Sequence, residues 1–280
     1  MQTYPAPAKL NLFLHVVGQR EDGYHLLQTV FRFLDFSDRL SFVLREDAVV
    51  KLHTPIADVP EEKNLCIRAA RLLQQKSNTP MGVEISLEKH IPMGGGLGGG
   101  SSDAATTLLV LNRLWHLNYS KKELIELGLQ LGADVPVFIF GENAFAEGIG
   151  EQLTSIDLPP AWYLVLIPSV HVSTAEIFSS RELTRNTIPI TIPPFSIWQG
   201  HNDLESVVCR MYPVVARYLD WLKQQNAASL VAMSGSGGCV FAEFANEQTA
   251  RNAFQQLPDG MRGFVAAGLA YHPLRYFLEE

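Results

Sequence analysis

The chain has 280 residues, 47% hydrophobic and 18% charged, enough apolar material for a substantial core arranged as one large or two ordinary domains. Its formal net charge of −7, a pI near 5.6 and the lack of any lysine/arginine cluster argue against a nucleic-acid partner, which normally meets a basic patch. Three scattered cysteines, Cys66, Cys209 and Cys239, offer neither a disulfide framework nor a zinc spacing, and with no signal-like start and no apolar run of ~20 residues the expectation is a cytoplasmic chain with no membrane partner.

Residues 6–17 alternate, with Ala8, Leu10, Leu12, Leu14 and Val16 on one phase and Lys9, Asn11, Phe13 and His15 on the other. Period two predicts a strand, so Lys9 and Asn11 share a face. A lysine on such a face is ordinarily solvated. Phe13 continuing the face, and the prolines nearby, point instead to a shaped, partly covered site. After a turn at 19–23, residues 24–34 read as a second strand, with Tyr24, His25 and Phe31 ordinarily structural or core residues. A further strand pair is expected at 38–44 and 49–53, a loop at 58–63, and a helix over 64–75.

A strand at 83–87 leads into Pro92-Met93-Gly94-Gly95-Gly96-Leu97-Gly98-Gly99-Gly100-Ser101-Ser102, followed by a helical run through Trp115. Glycines accept positive φ and leave their amides uncovered. Bare amides next to a helix N-terminus suit an anion, and nucleotide phosphate is the natural guest. A Walker A loop needs a lysine that is missing here, and no early βαβ unit supports a dinucleotide fingerprint.

Ser120, with Glu123 three residues on, begins another helix that ends at Gly132. Asp134 then stands between a helix end and the apolar run 135–140, read as a helix-to-strand junction, where an aspartate ordinarily caps a turn. Residues 145–151 suggest a strand entering a glycine turn, and the prolines within 153–160 suggest a boundary. Beyond it come a strand at 162–167, a helix at 174–183 and a proline- and threonine-rich loop to Pro194. A broken helix from Asn202 to Lys223 follows. A strand at 229–233, a second glycine turn at 234–238, a strand at 239–244, a helix at 247–256 and a strand at 263–267 complete the chain. Strands mixed with helices and no regular βα repeat predict an α+β fold.

Three ordered stretches resemble the motifs of the GHMP kinases, the superfamily of galactokinase, homoserine kinase, mevalonate kinase and phosphomevalonate kinase. They are Pro7-Ala8-Lys9-Leu10-Asn11-Leu12, the glycine loop through Ala105, and Ser234-Gly235-Ser236-Gly237-Gly238. Gly23-Tyr24-His25, Gly132-Ala133-Asp134-Val135-Pro136, Ala146-Glu147-Gly148 and Asn202-Asp203-Leu204-Glu205 resemble a branch whose acceptor carries a cytidine diphosphate. Small departures are Leu10, where isoleucine is common, and Asp103, where asparagine is frequent.

The resemblance implies a two-lobed α+β GHMP kinase fold with the active site between the lobes. It implies an N-terminal ATP-binding domain at 1–155 and a C-terminal domain at 156–280 that contributes to the substrate site. It implies ATP-dependent phosphorylation of the 2-hydroxyl of a cytidine diphosphate sugar alcohol in the non-mevalonate isoprenoid route, with Mg2+ accompanying ATP, metal ligands unassigned, and a monomer or weak homodimer. By motif position Asp134 would be the base and Lys9 its cationic partner. Pro92 through Ser102, with Asn64 and Leu65, would bind ATP. Asn11 would lie near the acceptor, Tyr24, Phe31 and Phe178 around the cytosine, and His25 at its edge. Phosphoryl transfer depends on positioning and charge neutralisation, and a tertiary alcohol gains from a nearby carboxylate that takes its proton. Another GHMP kinase with a small aliphatic substrate would not need the aromatic residues, and a non-enzymatic member of the fold would lack Lys9 or Asp134.

Overall fold

The computed structural model describes residues 2–56, 59–191 and 200–278. In chain order it contains β1 (Tyr4–Gln19), β2 (His25–Arg45), β3 (Val50–Leu52), α1 (Leu65–Ser77), β4 (Gly82–Glu88), α2 (Gly99–Leu114), α3 (Lys121–Leu129), α4 (Val135–Phe140), β5 (Ala144–Glu147) and β6 (Gln152–Ser155). The second half contributes β7 (Trp162–Leu166), α5 (Thr174–Ser179), α6 (Glu205–Met211), α7 (Pro213–Lys223), β8 (Leu230–Met233), β9 (Val240–Phe244), α8 (Glu247–Gln255) and β10 (Gly263–Leu269). The mixed composition is the expected α+β.

The strands join in the order β3-β4-β2-β10-β7-β9-β8, with β1 and β5 also on β2 and β6 on β5. Most pairings are antiparallel, and β3 runs parallel to β4. The long strand β2 is the organiser. The two separate strands expected at 24–34 and 38–44 are one continuous strand that runs through residues 35–37. Asp38 is fully buried, and its Oδ1 accepts the amides of His90 (2.6 Å) and Ile91 (2.8 Å). Residues 49–53 do not pair with 38–44 as expected; they lie along β4.

A bulge in β1 corrects a second expectation. Asn11 pairs with Phe31 and Leu14 with Thr29, so two residues of β1 stand opposite Val30 alone. Such a bulge moves the alternation by one and re-aims every side chain beyond it. Leu14 therefore inherits the face of Lys9 and Asn11. Phe13 turns to the opposite side and is buried with Leu10, Leu12 and Val30.

Three further boundaries differ. The run 135–140 is the helix α4 rather than a strand: Pro136 sits in its first turn, Gly141 closes it in the left-handed region, and Val135, Val137, Phe138 and Ile139 are buried in the core shared with α2 and α3. Strand β6 occupies the start of the stretch 153–160. Helix α5 stops at Ser179 instead of 183, and Glu61–Lys63 forms a short 3-10 turn within the expected loop. Asp58 and Pro194, which bound two expected loops, lie outside the described residues. The capping box of α3 is formed in full, with Ser120 Oγ accepting the Glu123 amide and Glu123 reaching back to the Ser120 amide.

One core lies between α1, α2, α3, α4 and the first half of the sheet; another lies between the sheet and α6, α7 and α8. Helix α2 is buried nearly all round, as an interior helix should be. Its N-terminus reaches the surface only where the glycine loop enters it.

Candidate active site

Gly94, Gly96 and Gly98 have φ of 70°, 76° and 72°, alternating with ordinary residues, so the loop coils tightly before α2 begins. Gly98 occupies the N-cap with no side-chain cap, and the first intrahelical bond runs from Ser102 N to Gly98 O. The amides of Gly99, Gly100 and Ser101 thus have no helical acceptor, and no acidic residue lies in the first turn to oppose an incoming anion. The cradle is braced on both sides. Lys9 N donates to Leu97 O (3.0 Å), Cys239 N to Gly95 O (3.1 Å) and Ser234 Oγ to Gly96 O (3.0 Å). The second glycine turn is itself held by Asn202, whose Nδ2 donates to Met233 O (2.9 Å) and Gly235 O (2.8 Å). A Cβ on Gly96 would lie 2.1 Å from Ser234 O, so the two glycine turns touch through bare backbone.

The loop's stems are pinned by charge. Lys89 bonds Asp38 on β2 and Asp103 on α2, the latter at 2.7 Å, while Asp38 holds the amides just before Pro92. Burial pushes the Asp103 carboxyl up to about 7, and its Oδ1 has no partner among the described residues.

Lys9 is buried, and its ammonium joins three elements. It donates to Asn11 Oδ1 (2.5 Å) and Gly96 O (3.1 Å), lies 3.2 Å from Asp134 Oδ2, and stands 5.3 Å above the Phe31 ring. Asn11 is oriented in turn by donating to Thr29 Oγ1 (2.9 Å), which donates to Phe13 O. Asp134 takes the N-cap position of α4 but makes no capping bond with its side chain. Its carboxylate, 39% exposed, therefore faces the cavity beside Lys9.

Two cavities meet at this pair. One, of about 410 Å³, is lined by the whole run Pro92 to Ser101, by Asn64 and Leu65, and by the apolar Ile56, Val59 and Leu87. The other, of about 710 Å³, is lined by Lys9, Asn11, Leu14, Tyr24, His25, Phe31 and Phe178. They share Gly96, Ser101, Asp134, Thr174 and Ser236.

Most of the residues picked out in the sequence therefore stand on these walls. Asn64 caps α1 by accepting the Cys66 amide (2.9 Å), and Met93 is exposed at the rim. Ser102 does not line either cavity; it is fully buried, and its Oγ has no partner among the described residues. Tyr24 is 59% exposed at the mouth, whereas Phe31 is a buried floor under Lys9. His25 packs against Phe178 at a tilt of 33°, with centroids 4.9 Å apart. Sequence reasoning missed Thr29, the Thr174–Ser236 hydroxyl pair (2.6 Å) and Arg185, which donates to His25 Nε2 (3.0 Å). Only the alternation in β2 could have flagged Thr29, as a polar residue on the Phe31 face; nothing local marked the others.

Residues 64–142 match the GHMP kinases N terminal domain family and residues 196–263 the GHMP kinases C terminal family. The chain is 69% identical over 276 residues to a 4-diphosphocytidyl-2-C-methyl-D-erythritol kinase of Nitrosospira multiformis, covering 99% of this chain and 94% of that protein. It is 62% identical to the protein of the same name from Nitrosomonas europaea, covering 99% and 100%. In three dimensions it is similar to a crystal structure of 4-(cytidine 5'-diphospho)-2C-methyl-D-erythritol kinase, with a TM-score of 0.83 and 34% identity over 95% of this chain and 99% of that one. Two matched domains and full-length likeness agree with the site built above: the chain belongs to the GHMP kinases, ATP-using small-molecule kinases, and within them to the 4-diphosphocytidyl-2-C-methyl-D-erythritol kinases.

Proposed function

We propose that this chain transfers the γ-phosphoryl group of ATP to the 2-hydroxyl of 4-diphosphocytidyl-2-C-methyl-D-erythritol, giving the 2-phosphate and ADP on the methylerythritol phosphate route to isoprenoid precursors. The observation that carries the reading is the wall common to the two cavities. A glycine cradle on one side and an aromatic-rimmed chamber on the other meet at Asp134, so donor and acceptor would face each other across a single carboxylate. The names of the relatives agree with that acceptor.

In this reading the amides of the glycine loop and the positive end of α2 hold the β- and γ-phosphates. The acceptor's hydroxyl proton passes to an Asp134 carboxylate oxygen as the hydroxyl oxygen bonds to phosphorus and the bond to the β–γ bridging oxygen breaks, releasing ADP. Lys9 fixes Asp134 and Asn11 at the point of transfer. Tyr24 and Phe178 flank the cytosine, Phe31 lies beneath, and His25 meets its edge. Mg2+ would accompany ATP. A small hard cation that keeps several waters needs only one or two protein oxygens, and Ser101 and Asp134 on the shared wall fit that demand. Among the described residues no cluster of three His, Cys, Asp or Glu side chains makes a self-sufficient metal site. When bound, the ion would neutralise phosphate charge. The division at 155/156 assigns the ATP cradle mainly to the first domain and the Phe178 wall and Ser236 to the second. The working form is a cytoplasmic monomer or weak homodimer, and among the described residues no helix is long and apolar enough to cross a membrane.

The test is ADP release with three acceptors at matched concentrations. Turnover is expected with 4-diphosphocytidyl-2-C-methyl-D-erythritol and not with homoserine or mevalonate. Comparable turnover with either small acceptor would overturn the assignment.

A further inference from the structure

Arg185 lies between α5 and α6, and each of its three nitrogens has a partner. Its Nη1 donates to Leu183 O (3.1 Å), and its Nη2 donates to Phe178 O and Ser180 O, both at 2.8 Å. Its remaining nitrogen, Nε, donates to Nε2 of His25 at 3.0 Å, across 160 positions of sequence. A guanidinium carries only donors and stays protonated in proteins. Nε2 of His25 must then be a bare acceptor, and the proton of the neutral ring sits on Nδ1. Burial, and then the adjacent guanidinium charge, push the His25 pKa down, so the doubly protonated ring is disfavoured as well. With Nε2 occupied, the ring has one polar group left, an Nδ1–H donor. Its plane is set by the tilted contact with Phe178, 33° between ring planes, whose own carbonyl the same guanidinium holds. His25, Phe178 and Tyr24 all line the acceptor cavity.

A fixed donor that meets ring position 3 discriminates between pyrimidines, whereas one at O2, an acceptor in both bases, would not. The pairing edge of cytosine presents N3 as an acceptor, whereas uracil presents N3–H, a donor that would oppose Nδ1–H. We infer that Arg185 is a positioning residue that locks His25 in its Nδ1–H tautomer and thereby makes the acceptor site select cytosine over uracil. The inference rests on the proposed reading that His25 meets the base edge. A site built around one hydrogen bond rejects the mismatched partner far more strongly than a hydrophobic pocket rejects a missing methylene. A preference of at least 10²-fold in kcat/KM is expected for the cytidine substrate over its uridine counterpart.

The first test is the tautomer itself, read in the wild-type enzyme by long-range 1H–15N correlation with 15N-labelled histidine, with His25 identified by its loss in His25→Gln. The chain has eight histidines, so one missing spin system is readable. The expected pattern is protonated Nδ1 and bare Nε2. This result needs no Arg185 variant to fold, which matters because Arg185 also ties down three carbonyls. Arg185→Met should then release the ring toward the Nε2–H form. It should also lower the cytidine-to-uridine preference at least tenfold while leaving KM for ATP within about twofold, a split that general loosening of the fold would not produce. Arg185→Lys, which keeps a donor, should recover part of the preference. A wild-type His25 carrying its proton on Nε2 overturns the inference, as does a folded Arg185→Met enzyme that keeps the full preference. If the tautomer is as expected but His25→Gln leaves the preference intact, the base-edge reading has failed and the inference falls with it. If His25→Gln abolishes the preference and Arg185→Met does not, the base-edge reading stands and the inference alone is wrong.

Discussion

Lys9 shows how one side chain sets a site. An ammonium has three N–H groups and no acceptor, and here all three have fixed partners: a strand side chain, a loop carbonyl and the carboxylate of Asp134. Lys9 is the rigid member and Asp134 the accessible one, so the two substitutions have different costs. Asp134→Asn keeps shape, disturbs no cap, and should lower kcat by about 10²–10⁴ with little change in Tm. Lys9→Met should lower kcat too, but it strips Asn11 Oδ1 of its donor in a buried setting and should cost about 1–3 kcal/mol of stability. The double variant should lose less in kcat than the product of the single losses, because the pair acts as a unit. Near-normal turnover by Asp134→Asn at saturating substrates would remove the base from the mechanism.

At the scale of elements, two glycine turns from opposite ends of the chain brace each other. The first carries the cradle; the second, between β8 and β9, serves as its abutment and also places Ser236 on the wall that the two cavities share. Glycine is required at Gly96 for two independent reasons, a φ of 76° and the 2.1 Å approach of a Cβ to Ser234 O. Gly96→Ala must push the turns apart. A non-glycine residue held in that region costs about 1–3 kcal/mol, and the displaced Ser234 would also release the Asn11 amide that its Oγ accepts (3.2 Å). ATP affinity measured by calorimetry is expected to fall at least tenfold, with a lower midpoint in urea. Unchanged affinity would mean that the cradle holds its shape without the second turn.

At the scale of the molecule, the chain's end returns to its beginning. Strand β10 pairs with β2 as well as β7, Phe277 stacks edge-on against Tyr4, and His272 N donates to Gly141 O (2.9 Å) at the end of α4. The His272 ring is buried against Phe33 and Phe138, its Nδ1 accepts the Leu274 amide, and burial pushes its pKa down to about 3. Above the unfolded value near 6.5 the ring is neutral in both states and titration contributes nothing. As pH falls from about 6.5 toward 3, the unfolded chain takes up a proton that the folded chain refuses, so stability declines. Between pH 6.5 and 5 the loss from this group is about 2 kcal/mol. His272→Asn keeps an acceptor for the Leu274 amide and cannot titrate. The stability advantage of the wild type over this variant should therefore shrink by about that amount between pH 7.5 and 5 in urea unfolding. An advantage equal at both pH values would show that His272 charges freely in the folded protein.

The features legible in the sequence were those whose cause is local. The glycine loop, the Ser120–Glu123 capping box and the pairing of Lys9 with Asn11 on one strand face follow from φ preferences, short hydrogen bonds and period two, all encoded within a few residues. The motif resemblance reached further, but only to the list of parts and the family. The tertiary structure decided what depends on distant partners. Residues 135–140 look like a strand by composition and fold as a helix because burial between α2 and α3 outweighs weak local propensity. Asp38 lies fully buried within β2, where two amides and Lys89 from a distant stretch satisfy it. Phe13 left the face of Lys9 because β1 carries one more residue than β2 opposite it, a mismatch that exists only once the strands pair. The contacts of Lys9 with Asp134, and of Arg185 with His25, join residues far apart in sequence, and no period or spacing within the chain records them.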